Sequence, residues 1–354
     1  MSTAKASVNA WIQQNLPEEL TWSGPPQADT LGGLPACPAV YLLVSPAQLP
    51  VHLATTQQLR RVLALRLAGS QAPRPGRADL SEVVTAVRWR RVYSAFEARW
   101  WYYRIAREMY PKRYRRLISF GPAWFLHVDW QEPIPDLSIT ERVWQMPGHC
   151  AGPWLTHDLC QRALDGLRDA FDLCRYPEQV RRAPRGHRCA YADMQRCDAP
   201  CDGSIPLERY VERVRAAWAF VCGEIRPWIS SATARMKEAA REQHFELAGR
   251  LKKHIGWAWR WEEEWTRFVR PAEQLSYLLA VPVARRKSWR LFLFWRGDLH
   301  DGPIVTDRQL PRQAAKWLQE QVCEPSPAAD AQIRTEQTWL VSHFLRSREG
   351  DASI

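Results

Sequence analysis

Several things this sequence lacks narrow its identity first. Its opening residues, MSTAKASVNAWIQQNL, have no apolar core of the kind a secretory signal needs. The longest apolar runs, LSYLLAVPVA and LFLFW, are too short to cross a bilayer as helices. Both absences point to a cytoplasmic protein, a setting that disfavours disulfides. The cysteine count of 9 is odd, so complete pairing is excluded in any case. No segment repeats at a fixed period, which argues against a solenoid or a propeller. Carboxylates are the minority charge: 38 Asp and Glu stand against 49 Lys and Arg, for a formal net charge of +11. That balance favours a polyanionic partner such as nucleic acid.

What is present reads as a folded chain of two or three domains. The 354 residues exceed one core, and 46% of them are hydrophobic. The 19 Trp are mostly core or interface residues, with a few available to stack on bases. Residues 1–34 are polar and carry Gly and Pro, so they read as a leader. AVYLLV and VHLA have strand length, with the turn SPAQLP between them. TTQQLRRVLALRLAG has a Thr cap, helical periodicity and a closing Gly, and QAPRPGRADL is a loop. VVTAVRWRRVY predicts a third strand, and AFEARWWYYRIAREMY a helix stopped by Pro111. Residues 119–160 resist assignment. Helices are predicted over HDLCQRALDGLRDAFDLC and IPLERYVERVRAAWAFVCGE, and a helical hairpin over 229–262. LSYLLAVPVA, RRKS and WRLFLFWRG predict a β-hairpin, and 310–354 one or two helices with a frayed end.

Four cysteines stand close together among arginines: Cys174, Cys189, Cys197 and Cys201. Structural zinc sites usually come as two close pairs, and here the one close pair is C-x3-C. Four irregularly spaced thiolates suit an iron–sulfur cluster at least as well. Buried free thiols stay equally open on spacing alone. Cys37, Cys150, Cys160, Cys222 and Cys323 are isolated and read as ordinary free thiols.

The segment RCAYADMQRCDAPCDGSI, followed by ERYVERV and FVCGE, resembles the cysteine segment of the UvrC family of nucleotide-excision-repair nucleases. The resemblance implies a [4Fe–4S] cluster on Cys174, Cys189, Cys197 and Cys201, although the family's Gly before the third cysteine is Gln195 here. ARMKEAAREQHFELAGRLKKHI is similar to the UVR motif, a helical hairpin that docks on UvrB or a UvrB-like protein. The residues that carry this resemblance toward a partner are Met236, Ala240, Phe245, Glu246, Leu251 and Ile255. On spacing alone, the same apolar stripe would pack on its own protein. LPACPAVYLL and VHLATTQQLRRVL resemble the start of the GIY-YIG nuclease domain, and FEARWWYYRIAREMYPKRY its later helix.

The GIY-YIG resemblance implies phosphodiester cleavage with one Mg2+ or Mn2+ held by a carboxylate. The matching positions are Tyr41, then His52 for the second tyrosine, Thr55 for the lysine, and Arg61 beside the position of the helix arginine. Tyr102 stands where the metal-binding Glu belongs. Glu97 lies five residues earlier, about 140° around a helix, and points elsewhere. A neutral phenol does not replace a carboxylate as a Mg2+ ligand, so the site reads as degenerate. His52 remains a candidate general base. Phosphate-binding candidates are Arg88, Arg90 and Arg91, and above all Lys112, Arg113, Arg115 and Arg116. Arg181–Arg182 and Arg285–Lys287 read as solvated faces, and Asp298, Asp301 and Asp307 as a solvated loop.

The expectation is an α+β multidomain protein. It comprises a leader (1–34), a three-stranded GIY-YIG-like domain (35–118), a helical linker and cysteine region (119–228), a UVR hairpin (229–265) and a β-hairpin with helices (266–354). The resemblance is to short, Cho-like relatives of the UvrC family that bind DNA and a UvrB-like partner. An active enzyme making the 3′ incision and an iron–sulfur, redox-responsive DNA-binding regulator are the alternatives.

Overall fold

The computed structural model describes residues 2–26, 28–67, 80–194, 196–265, 267–283, 287–321 and 330–347. Gln195, Arg285, Arg286, Cys323 and most of the QAPRPGRADL loop lie outside the described residues. Two compact units emerge, one of residues 1–121, 280–291 and 303–316, the other of 122–279, 292–302 and 317–354. No helix among the described residues is long and apolar enough to cross a membrane.

The first unit begins with α1 (Ser2–Asn15), β1 (Glu18–Thr21) and α2 (Ala28–Gly32). It continues with β2 (Ala39–Val44), β3 (Pro50–Thr56), α3 (Leu59–Leu67), β4 (Ala86–Arg91) and α4 (Ala95–Met109). The antiparallel sheet has the order β1-β4-β2-β3, four strands where three were expected. The extra strand comes from the segment read as a polar leader, with Glu18 to Thr21 pairing Trp89 to Ala86. EELT offers one apolar side chain on an edge, so it carries no alternating signal. Every residue of β2 is buried, as a central strand covered on both faces requires. On one face Tyr41, Leu43, Val87 and Trp89 pack with Leu59, Leu63 and Leu67 of α3. Each such fully buried side chain contributes about 1.5–3 kcal/mol.

The second unit holds β5 (Trp124–Val128), β6 (Ser138–Thr140), β7 (His149–Trp154) and α5 (His157–Ala170). Then come the short α6 (Pro177–Val180) and α7 (Ala190–Asp193), α8 (Leu207–Val221), α9 (Ile225–Arg241), α10 (Phe245–Glu264) and β8 (Arg270–Pro271). The unassigned stretch 119–160 therefore supplies three strands of a sheet of order β6-β5-β7-β8, and β8 comes from farther along the chain. The core is aromatic: Trp154, Phe171, Phe220, Trp257, Trp261 and Trp265 pack among one another, with Phe220 stacked on Trp257 at 5.4 Å. These tryptophans are core, as most of the 19 were expected to be.

A third sheet of order β11-β10-β9 joins β9 (Ser276–Pro282), β10 (Ser288–Trp295) and β11 (Asp298–Thr306), followed by α11 (Leu310–Gln321) and α12 (Ala331–Leu345). The expected hairpin is present and gains β11. Gly297 turns it with φ +98°, and a Cβ there would meet Trp144 Nε1 at 2.7 Å. That strand includes Asp298 and Asp301 of the expected loop, and Asp298 lies 3.8 Å from Arg334. Helix α12 is buried on nearly every side, and the expected frayed end beyond residue 347 lies outside the described residues. Its polar groups are satisfied: Trp144 Nε1 donates to Thr338 Oγ1 at 2.8 Å, and the Leu299 amide donates to Gln337 Oε1 at 2.6 Å.

Candidate functional site

In the first unit, a cleft of about 540 Å3 opens between the end of β3 and one face of α4. Ser94 starts that helix, its Oγ accepting from the Glu97 amide at 3.0 Å, while Glu97 Oε2 accepts from the Tyr93 amide at 2.9 Å. Helical periodicity then turns Ala95, Ala98, Arg99 and Tyr102 toward Ala54, Thr55 and Thr56. Leu117, Ile118, Ser119 and Phe120 complete the wall. No carboxylate is among the described lining residues. Glu97 is buried, and its other oxygen lies 3.6 Å from Arg290 Nε, which confirms that it points elsewhere. Burial and the neighbouring Tyr110 push the Tyr102 phenol above its usual range, so it is neutral at physiological pH.

The other three catalytic candidates do not join Tyr102 in the cleft lining. Tyr41 is 1% exposed and packs in the α3-side core. His52 lies near it, with ring centroids 6.2 Å apart. The His52 Nε2 accepts from Arg66 Nη1 at 2.7 Å, and burial followed by that guanidinium lowers its pKa. The imidazole is thus kept neutral but occupied. Arg61 is exposed on α3. The residue that sequence comparison missed is Arg99, three positions before Tyr102 on the same helix face. Helical spacing alone contained that signal.

The basic candidates divide sharply. Arg88 is 7% exposed and pairs with Glu19 at 2.9 Å. Arg90 donates to the Asn15 carbonyl at 2.5 Å and stacks 3.9 Å over Trp101. These two brace the unit internally, and Arg91 remains exposed beside Cys37. Lys112, Arg113, Arg115 and Arg116 are all exposed around the buried Tyr114, on the turn that leads into the Leu117–Phe120 wall of the cleft.

The eight described cysteines are all free of disulfides, and seven of them lie in the second unit. Cys174, Cys197 and Cys201 are buried, and each acts electrostatically on another. Cys174 and Cys197 share a hydrogen bond, which raises the first thiol and lowers the second to about 7. Cys201 Sγ reaches the His187 carbonyl at 3.4 Å. Cys189 sits half-buried at the start of α7. Among the described residues, no three His, Cys, Asp or Glu side chains are set to hold one metal ion. Three buried thiols that act on one another are donors of the kind a thiolate-held group takes, and Cys189 lies in the same segment of the chain.

The hairpin expected over 229–262 is α9 and α10, joined at Glu242–His244 with Gln243 at φ +63°. Its stripe turns inward. Leu251 is buried, and Ile255 packs with Ala258 and Trp261 in the core of the unit. Met236 is half-buried, while Ala240, Glu246 and Phe245 are exposed, the last at 70%. Leu251 and Ile255 are therefore engaged within the chain, and the tip residues carry what surface the motif leaves.

Residues 123–220 match the family model described as the UvrC/Cho excinuclease middle domain. Among curated relatives, the UvrABC system protein C of Geotalea daltonii is 26% identical over 234 residues, 65% of this chain and 37% of that protein. The protein of the same name from Trichlorobacter lovleyi is 25% identical over 224 residues, 63% and 37%. That of Geobacter metallireducens is 32% identical over 130 residues, 37% and 21%. The chain thus spans little more than a third of the length of the first two relatives. No solved structure matches. The middle domain starts where the second unit does, and it contains β5 to β7, α5 and all four clustered cysteines.

Proposed function

We propose that this chain is a UvrC/Cho-like nucleotide-excision-repair protein that holds DNA by its phosphates and docks a UvrB-like partner, without metal-dependent cleavage at the β3–α4 cleft. The observation that carries the reading is the cleft itself. It keeps a cation, Arg99, and lies beside the Lys112–Arg116 turn, but its described lining offers Tyr102 and Thr55 where a metal needs a carboxylate. Cations bind phosphates without sequence choice, which suits a protein that meets damage anywhere. A divalent metal has no anionic ligand there, and a neutral phenol supplies none. Partner docking rests on the hairpin tip: exposed Phe245, with Ala240, Glu246 and Met236 around it.

Cys174, Cys197 and Cys201, with Cys189, are the residues that would hold a [4Fe–4S] cluster. Such a group would tie the α5 end, the α7 turn and the Pro200–Asp202 turn into one core, a structural contribution rather than a hydrolytic one.

The test is duplex-DNA binding measured with EDTA and with Mg2+. The expected affinity is the same in both. Neutralising Lys112, Arg113, Arg115 and Arg116 to Ala weakens it about tenfold or more and flattens the log–log salt dependence by about 3–4. Phe245→Ala abolishes capture of purified UvrB. Binding that is indifferent to salt, or that requires the metal, overturns the reading.

A further inference from the structure

Between residues 175 and 196 lie six arginines and no lysine, against the two carboxylates Glu178 and Asp193. The proposed function uses none of them. Two are engaged internally. Arg175 reaches Asp165 at 3.1 Å and Asp169 at 2.7 Å, and Arg188 reaches Asp193 at 3.2 Å and Asp202 at 3.6 Å.

Arg181, Arg182 and Arg185 are different. All three are exposed, and none makes a side-chain hydrogen bond or ion pair with a described residue, although Arg181 acts on the Asp136 carboxyl. They are held on a well-bonded turn. The Arg181 amide donates to the Pro177 carbonyl at 3.0 Å, Arg182 to Gln179 at 3.1 Å, and Arg185 to Arg182 at 2.8 Å. The Gly186 amide then ties the turn to the Cys201 carbonyl at 2.9 Å. A Cβ on Gly186 would lie 2.4 Å from the Gln179 carbonyl, so the backbone packs there with no spare room.

Three guanidiniums on one fixed turn repel one another, and an anionic chain relieves that repulsion. Arginine suits phosphate, because its planar fork binds two oxygens at once. Before the turn stands Tyr176, 44% exposed, with Tyr191 at 6.2 Å; Met194 nearby in sequence is 51% exposed. An open aromatic face beside cations is what an unpaired base stacks on.

We propose that this turn of the UvrC/Cho middle domain is a second nucleic-acid contact, for a single strand: Arg181, Arg182 and Arg185 take successive phosphates and Tyr176 stacks on a base. It belongs to the second unit and does not rest on the cleft of the first.

The test uses the full chain with a fluorescent single-stranded oligonucleotide and the matching duplex. The variant R181A/R182A/R185A weakens single-strand binding about tenfold or more and lowers the salt slope by about 2. The charge-retaining variant R181K/R182K/R185K keeps the slope. Tyr176→Ala loses about fivefold or more on the single strand and little on the duplex. Wild-type affinity and slope in the alanine triple variant overturn the proposal. If that variant fails to fold by circular dichroism, an unchanged single-strand to duplex ratio in Tyr176→Ala overturns it instead. Displacement of the oligonucleotide by polyglutamate at equal charge would also overturn it, in favour of an acidic protein surface. Loss of binding confined to the Lys112–Arg116 variant leaves the cleft reading standing and sinks this one.

Discussion

The β3–α4 cleft and the cysteine core make an instructive pair. The cleft keeps its walls, its helix cap and its cations, and lacks a carboxylate among its described lining residues. The cysteine segment keeps its donors: three buried thiols that interact, and a fourth on the next short helix. One region offers a walled cleft without a carboxylate among its described lining residues, the other a group of buried thiols within the matched residues. The comparison teaches that fold and chemistry are separable. Phe96, Trp100 and Tyr103 on the buried side of α4 anchor the helix that forms one wall of the cleft. The cysteines sit within the core, so changing them alters packing as well as ligation.

The comparison breaks most severely at the cysteines. Cys174→Ser or Cys197→Ser in anaerobically purified protein should remove most of the iron, from about four atoms per chain, with loss of the broad visible absorbance. Iron absent from the parent protein, with zinc or nothing in its place, would contradict the cluster. A smaller effect sharpens the cleft side. Tyr102→Glu returns a carboxylate to the wall, and Mn2+ binding on the order of millimolar should appear by electron paramagnetic resonance where the parent shows none.

The smallest expected effect lies at Asp136, whose carboxyl is raised to about 6, first by burial and against the pull of Arg168. A raised carboxyl binds its proton more tightly in the folded state. Its contribution is therefore full below about 3.8, the unfolded value, and is lost as pH rises through about 6. Asp136→Asn should stabilise the protein by about 1–2 kcal/mol at pH 8 and by little at pH 4, read from urea unfolding. Equal stabilisation at both pH values would show that the gain is packing rather than charge.

Much of the first unit was legible because its strands and helices follow simple periods. AVYLLV, VRWRR and AFEARWWYYRIAREM fall where β2, β4 and α4 form. The sheet of the second unit was not legible. β6 has three residues and β8 two, and β8 comes from Arg270–Pro271, more than a hundred residues after β7. Strands that short carry no alternation. Helix α12 hid its burial behind polar residues such as Thr335 and Gln337, whose partners Gln145 and Leu299 lie far away in sequence. At the candidate site, sequence comparison found Tyr102 but grouped it with Tyr41 and His52, which face the α3 side. It read Arg88 and Arg90 as surface cations, because charge in a sequence does not reveal a partner such as Glu19 or the Asn15 carbonyl.

The central claim is DNA binding without cleavage at the cleft, and a nicking assay tests it most directly. Full-length protein is incubated with a lesion-bearing duplex, purified UvrB and millimolar Mg2+ or Mn2+. The account predicts a retained protein–DNA complex and no nick above background. Robust metal-dependent nicking that disappears in Tyr41→Phe or His52→Ala would contradict it.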